Sequence, residues 1–143
     1  MISVLVSTHG STAKGLIETA EMICGKQSQC EAVSFAMGQS TDDFQQQLQQ
    51  KLKALQDFGS EIVCFVDLKG GTPFNTLVRL MADFPNIEIV TGVNVPMLLE
   101  TFMQRSEVNL ATLLPDIIQA GTQGIERYNM AAMAVDQPSD EDF

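Results

Sequence analysis

The chain holds a single histidine, His9, in the order Ser7-Thr8-His9-Gly10-Ser11-Thr12. An imidazole becomes a nucleophile at one ring nitrogen when the proton sits on the other. The apolar run before it, Ile2 to Val6, is rich in β-branched residues and too short for a helix, which predicts a buried strand. After it, Gly10 supplies backbone freedom, Ser11 or Thr12 can cap, and Ala13, Leu16, Ile17, Ala20 and Ile23 recur at helical spacing. His9 therefore belongs to a strand-to-helix turn, where orphan N–H groups and the positive end of the helix dipole favour an anion. Phosphoryl transfer through His9 is the chemistry this suggests. The plainer alternative is a histidine that hydrogen-bonds across a loop.

Asp67 is the second residue of interest. It interrupts the predicted strand Glu61 to Leu68, continuously apolar from Ile62 to Val66, and a carboxylate there is costly unless paired or at the surface of a cleft. The loop beyond, Lys69-Gly70-Gly71-Thr72-Pro73-Phe74-Asn75, has two glycines, then Thr72 as expected N-cap with Pro73 at the first helical position. It forms a second helix start suited to an anion.

The elements that must position these residues alternate. A helix is predicted from Ser11 to Cys24, stopping at Gly25, and a second strand from Cys30 to Ala36. Thr41 is a plausible N-cap for a helix whose stripe is Phe44, Leu48, Leu52 and Leu55. The helix after the Gly70-Gly71 loop should reach about Asp83, and Ile87 to Thr91 reads as the fourth strand. Gly92 to Asn94 make a third strand-to-helix turn, and Pro96 opens a helix through Met103. A last helix, Asn109 to Ala120, should be kinked or split at Pro115, with Gly121 and Gly124 bracketing its end. Ile125 to Tyr128 could add one short strand, too brief to hold a sheet edge alone.

Such alternation argues for an α/β fold, a doubly wound sheet of four parallel strands in the order 2-1-3-4. Strands one and three are then neighbours and the connection reverses between them, so His9 and Asp67 stand side by side at the switch point. Asp67 can fix the histidine tautomer by accepting a hydrogen bond, and can stabilise the positive ring that develops as a phosphoryl group arrives. Thr8, Ser11 and Thr72 offer hydroxyls to the phosphoryl oxygens, and Gly10 and Gly71 complete the expected phosphoryl cradle. Turn and capping chemistry is the other use for the hydroxyls.

Composition narrows the function. The 143 residues suit one domain with a full core. The apolar runs are strand-sized, which predicts no membrane span and no secretory segment, hence a soluble cytoplasmic protein. A formal charge of −10 repels nucleic acid and anionic lipid and suits a basic protein partner. Cys24, Cys30 and Cys64 lack paired spacing and lie in apolar surroundings, the pattern of core thiols and not of a disulfide framework or a zinc site. No metal or cofactor is expected. Residues 130–143 read as an acidic, disordered tail after a domain of residues 1–129.

Three segments at three strand ends carry a resemblance: Thr8-His9-Gly10, Asp67-x-x-Gly70-Gly71-Thr72-Pro73-Phe74-Asn75, and Gly92-Val93-Asn94-Val95-Pro96-Met97-Leu98. Together they resemble the enzyme IIA component of the mannose family of the phosphoenolpyruvate-dependent sugar phosphotransferase system, over residues 1 to about 129. The resemblance implies a phosphotransferase with a phosphohistidine intermediate. His9 would accept phosphate from the phosphocarrier HPr and pass it to a IIB component, with Asp67 as its partner. It also implies a homodimer that exchanges a short C-terminal antiparallel strand, and an indirect membrane association through IIC and IID. Some relatives fuse IIB through a linker; the acidic tail here leads us to expect a separate IIB protein. Two other readings are a phosphocarrier subunit of a dihydroxyacetone kinase, and a flavodoxin-like flavin-binding module, which would leave His9 and Asp67 without a role.

Overall fold

The computed structural model describes residues 1–59 and 61–136. Four parallel strands, β1 (Ser3–His9), β2 (Cys30–Phe35), β3 (Ile62–Val66) and β4 (Ile87–Thr91), form one sheet in the order β2-β1-β3-β4. Helices α1 (Thr12–Cys24), α2 (Thr41–Gln56), α3 (Thr72–Leu80), α4 (Val95–Gln104), α5 (Leu110–Gln123) and α6 (Met130–Val135) complete the described chain. The expected α/β class, parallel sheet and strand order are all present.

Alternation along β1 divides the core. Val4 and Val6 join Ala13, Ala20, Leu98, Leu110, Leu113 and Ile117 in one apolar layer. Leu5 joins the other, with Phe44, Leu48, Leu52, Leu55, Leu77 and Leu80. Every residue of β3 is buried, as its unbroken apolar run requires of a strand covered on both faces.

Several boundaries differ from expectation for identifiable reasons. β1 runs on to His9 itself, because Thr8 pairs with Ser34 and His9 with Phe35 of β2. The cap of α2 is Ser40, whose hydroxyl accepts the Asp43 N–H at 3.1 Å, so Thr41 is the first helical residue. Helix α5 is not split: it runs unbroken through Pro115. The carbonyl that loses its donor there belongs to Ala111, which is exposed and so open to water. Gly121 lies inside α5 and not at its end. A Cβ there would meet Met97 at 2.5 Å, and one on the cap residue Gly124 would meet Pro96 at 2.6 Å, so both glycines let α4 pack close to α5.

Ile125 to Tyr128 forms no strand in the single chain, and its Ile125 and Tyr128 side chains are exposed. Residues 130–135, expected to be part of a structureless tail, form helix α6, capped by Asn129 through the Ala132 N–H. The acidic stretch 137–143 lies outside the described residues. Among those described, no helix is long and apolar enough to cross a membrane.

At the end of the sheet away from His9, Arg105 is buried at 2% exposure. Its Nη1 donates to the carbonyls of Ile2 and Gln29, and its Nη2 to the Ser28 carbonyl and the Gln27 side chain. The guanidinium also lies 5.3 Å from the centre of the Phe102 ring. These acceptors are neutral, and burial lowers the pKa of the group.

Candidate functional site at the ends of strands β1 and β3

His9 is the last residue of β1, and β3 ends one residue before Asp67, with Ser7 and Val66 as the final pair. Where strand pairing stops, the Asp67 side chain takes over. Its Oδ2 accepts the backbone N–H of His9 at 3.1 Å and lies 2.8 Å from Nδ1 of the same residue. An ionised carboxylate can only accept, so the Nδ1 proton is the one shared and Nε2 keeps its lone pair. The side chains are 47% and 28% exposed, enough for a reacting group to reach the ring. The other carboxylate oxygen, Oδ1, is buried and has no hydrogen-bond partner among the described residues. A carboxylate so incompletely solvated gains from any positive charge that develops on the ring beside it.

A second constraint comes from Gly71, the N-cap of α3. A Cβ on this residue would lie 2.8 Å from His9 Cε1 and 3.5 Å from Nε2. Only glycine therefore lets the α3 terminus come against the ring on its Nε2 side. Gly70, with φ +83, makes the turn that brings it there, and Asn75 Nδ2 donates to the Gly70 carbonyl at 3.0 Å. Pro73 has no N–H, and those of Thr72 and Phe74 have no partner among the described residues. Such a terminus is a ready anion site.

The sequence-predicted ligands divide into two groups. Thr8 is fully buried, and its hydroxyl oxygen accepts the Ala13 N–H at 2.8 Å, in place of the Ser11 side chain, which makes no cap bond. Gly10 adopts φ +59 and its N–H already donates to the Phe35 carbonyl at 3.0 Å. Ser11 is exposed, and Thr72, the first residue of α3 and not its cap, leaves its hydroxyl unengaged among the described residues. The geometry thus brings Gly71 against the Cε1–Nε2 edge of the ring, leaves Thr72 next to it as the first residue of α3, and commits Thr8 to holding α1. Sequence reasoning missed Phe35, whose ring centre is 6.0 Å from that of His9 at 73°. Beside the two rings a cleft of about 220 Å³ is lined by Gly10, Ala36, Met37 and Gly38, with no charged side chain.

A family model described as the PTS system fructose IIA component matches residues 3–118. The chain belongs to this IIA family of the sugar phosphotransferase system. Over 126 residues it is 32% identical to the fructose-specific EIIA component of Bacillus subtilis, covering 88% of this chain and 86% of that one. It is equally similar, at 32% over 126 residues, to the mannose-specific EIIAB component of Escherichia coli K12. There the match covers 87% of this chain, which spans only 39% of the relative's length. A crystal structure of an EIIA component from Streptococcus agalactiae superposes with a TM-score of 0.80 at 30% identity, covering 89% of this chain and 97% of that one.

Membership gives the site its context without assigning its residues. The IIA likeness, from sequence and from architecture, lends no support to a dihydroxyacetone kinase subunit or a flavin-binding module. Cys24, Cys30 and Cys64 are free thiols, and burial pushes Cys30 up to about 12. No group of three His, Cys, Asp or Glu able to hold a metal exists among the described residues.

Proposed function

We propose that this IIA chain is a phosphocarrier that accepts a phosphoryl group from phospho-HPr on His9 Nε2 and passes it to a IIB component during sugar uptake. The observation that carries the reading is the 2.8 Å contact between Nδ1 and Asp67, which leaves Nε2 as the free nucleophile beside the α3 terminus. In the transfer the N–P bond of the donor breaks and an Nε2–P bond forms, the electron pair returning to the donor ring. The Nδ1 proton stays on His9, held toward Asp67, so the phosphorylated ring carries a positive charge that the carboxylate offsets. The phosphoryl oxygens meet the N–H of Thr72 and its hydroxyl at the α3 terminus and the Ser11 hydroxyl on the α1 side, where Gly10 shapes the turn through its positive φ and Thr8 holds the start of α1 from behind.

The same reading takes residues 1–129 as the functional unit, cytoplasmic, with membrane association only through IIC and IID. It also takes the chain as a homodimer: Ile125 to Tyr128 is exposed and pairs with no strand among the described residues, and pairing as an antiparallel strand on a second copy would give each sheet a fifth strand. Sedimentation as a monomer at micromolar concentration would remove the exchange. The test of the carrier is direct, because there is no second histidine. Incubated with phosphoenolpyruvate, enzyme I and HPr, each chain should gain the mass of one phosphoryl group, labile in acid and stable in alkali. His9→Ala should gain none. Phosphate on that variant, or an acid-stable adduct on the wild type, would move the chemistry to a hydroxyl.

A further inference from the structure

We propose that Phe35 is a positioning residue for phosphoryl transfer, holding the His9 ring in the orientation that keeps Nδ1 on Asp67 and presents Nε2; the inference rests on the carrier reading above. Four observations converge on this residue. Phe35 is the last residue of β2 and pairs directly with His9 in the sheet register. Its carbonyl accepts the Gly10 N–H, fixing the backbone just after the histidine. Its ring stands nearly perpendicular to the imidazole, with centroids 6.0 Å apart, within the range of favourable edge contacts. Its other neighbour is Phe44, 5.0 Å away and fully buried in the α2 layer, so the imidazole is propped on the core through one intervening ring.

The need for such a prop follows from the other contacts. Asp67 holds one edge of the imidazole through a hydrogen bond, which fixes a distance but leaves the ring free to pivot about that bond. Gly71 limits the pivot at Cε1 and Nε2. Phe35 supplies a further contact, and a rotation about χ2 that would exchange Nδ1 with the carbon side has to displace it. An aliphatic side chain of similar volume fills the space without presenting a flat face or edge. The Phe35 backbone bond to Gly10 survives any side-chain substitution, so the side chain can be tested separately.

The experiment compares wild type, Phe35→Leu, Phe35→Met and Phe35→Tyr by two readouts. The first is ¹⁵N–¹H correlation of the sole imidazole, which reports the tautomer without any donor present. The second is the rate of phosphoryl uptake across a range of phospho-HPr concentrations. The leucine and methionine variants should show imidazole nitrogen shifts averaged toward a tautomer mixture. Their maximal uptake rate should fall about five- to fifty-fold, below the hundredfold that a full ångström of misplacement brings. Half-saturation by phospho-HPr should stay within about two-fold, and tyrosine, which keeps the ring, should restore both readouts. Wild-type imidazole signals in the leucine and methionine variants would overturn the inference, whatever the rate. So would a change confined to half-saturation, which would make Phe35 a docking residue. Failure of the wild type to take up phosphate would instead sink the carrier reading, leaving the imidazole signals to decide Phe35.

Discussion

Gly71→Ala separates catalysis from stability at one atom. The backbone at residue 71 has φ −76 and ψ 170, ordinary extended geometry for any L-residue, so the methyl adds no backbone strain. It does meet His9 Cε1 at 2.8 Å, and the ring must retreat by about 0.6 Å to reach ordinary van der Waals contact. The ring is hinged on the 2.8 Å bond to Asp67, so the retreat stretches or bends that bond and carries Nε2 away from the α3 terminus. A hydrogen bond to a charged group is worth about 1.5–3 kcal/mol. Its loss from the transition state corresponds to roughly ten- to 150-fold in rate. The folded state loses little, and the less flexible unfolded chain offsets part of that by about 0.4–1 kcal/mol. Rapid-quench measurement of phosphoryl uptake should therefore show a rate loss in that range, with Tm within a few degrees of wild type. Gly70→Ala should do the reverse to stability: at φ +83 with open space around its Cβ, the strain costs about 1–2 kcal/mol. Uptake by Gly71→Ala within three-fold of wild type would show that the ring does not depend on this approach.

Asp67→Asn should fold but transfer slowly: the atom that faces Nδ1 also accepts the His9 backbone N–H, so the amide keeps its oxygen there and the Nδ1–H tautomer persists in the ¹⁵N signals, but a neutral amide cannot offset the charged ring; a loss of only a few-fold would make Asp67 structural. Thr8→Val leaves the Ala13 N–H unpaired and should cost about 1–2 kcal/mol, a Tm fall of several degrees, while uptake stays near wild type; a large rate loss without a Tm change would return Thr8 to the phosphoryl cradle. Burial raises the Cys30 thiol from 9.0 to about 12, so well below pH 9 both folded and unfolded thiols are neutral and the group adds no pH dependence. Above that the unfolded chain ionises first, and denaturant titrations should show stability falling with pH toward 12 by a slope that Cys30→Ala reduces.

Much of the site was legible because its residues break rules that the rest of the chain obeys. A lone histidine after a strand and a carboxylate ending an apolar run are both misfits, and the parallel order placed them together. What sequence could not convey was steric. Gly71 reads as one of a flexible pair, yet only Gly70 is there for a positive φ, and Gly71 for contact with the ring. Phe35 was hidden because an aromatic residue in a strand satisfies the apolar pattern by itself, and its second contact, to His9, depends on register. Caps slipped by one residue at Ser40 and Gly71, since a serine next to a threonine and a glycine before Thr-Pro are equivalent until the backbone chooses. Pro115 was overweighted because the cost of a missing N–H depends on whether water reaches the orphan carbonyl.

The Arg105 clamp bears on how the chain unfolds. Its four bonds join the end of α4 to Ile2, 103 residues away, and to the segment 27–29, 76 to 78 residues away. Bonds of such long sequence separation need β1, β2 and α4 to have met, so they are expected to close late in folding, on the native side of the barrier. On that expectation, weakening the clamp speeds escape from the folded state and leaves the rate of arrival nearly untouched. Shortening the Arg105 side chain should then give a protein that refolds at close to its usual speed but unfolds faster, which stopped-flow folding and unfolding rates would show.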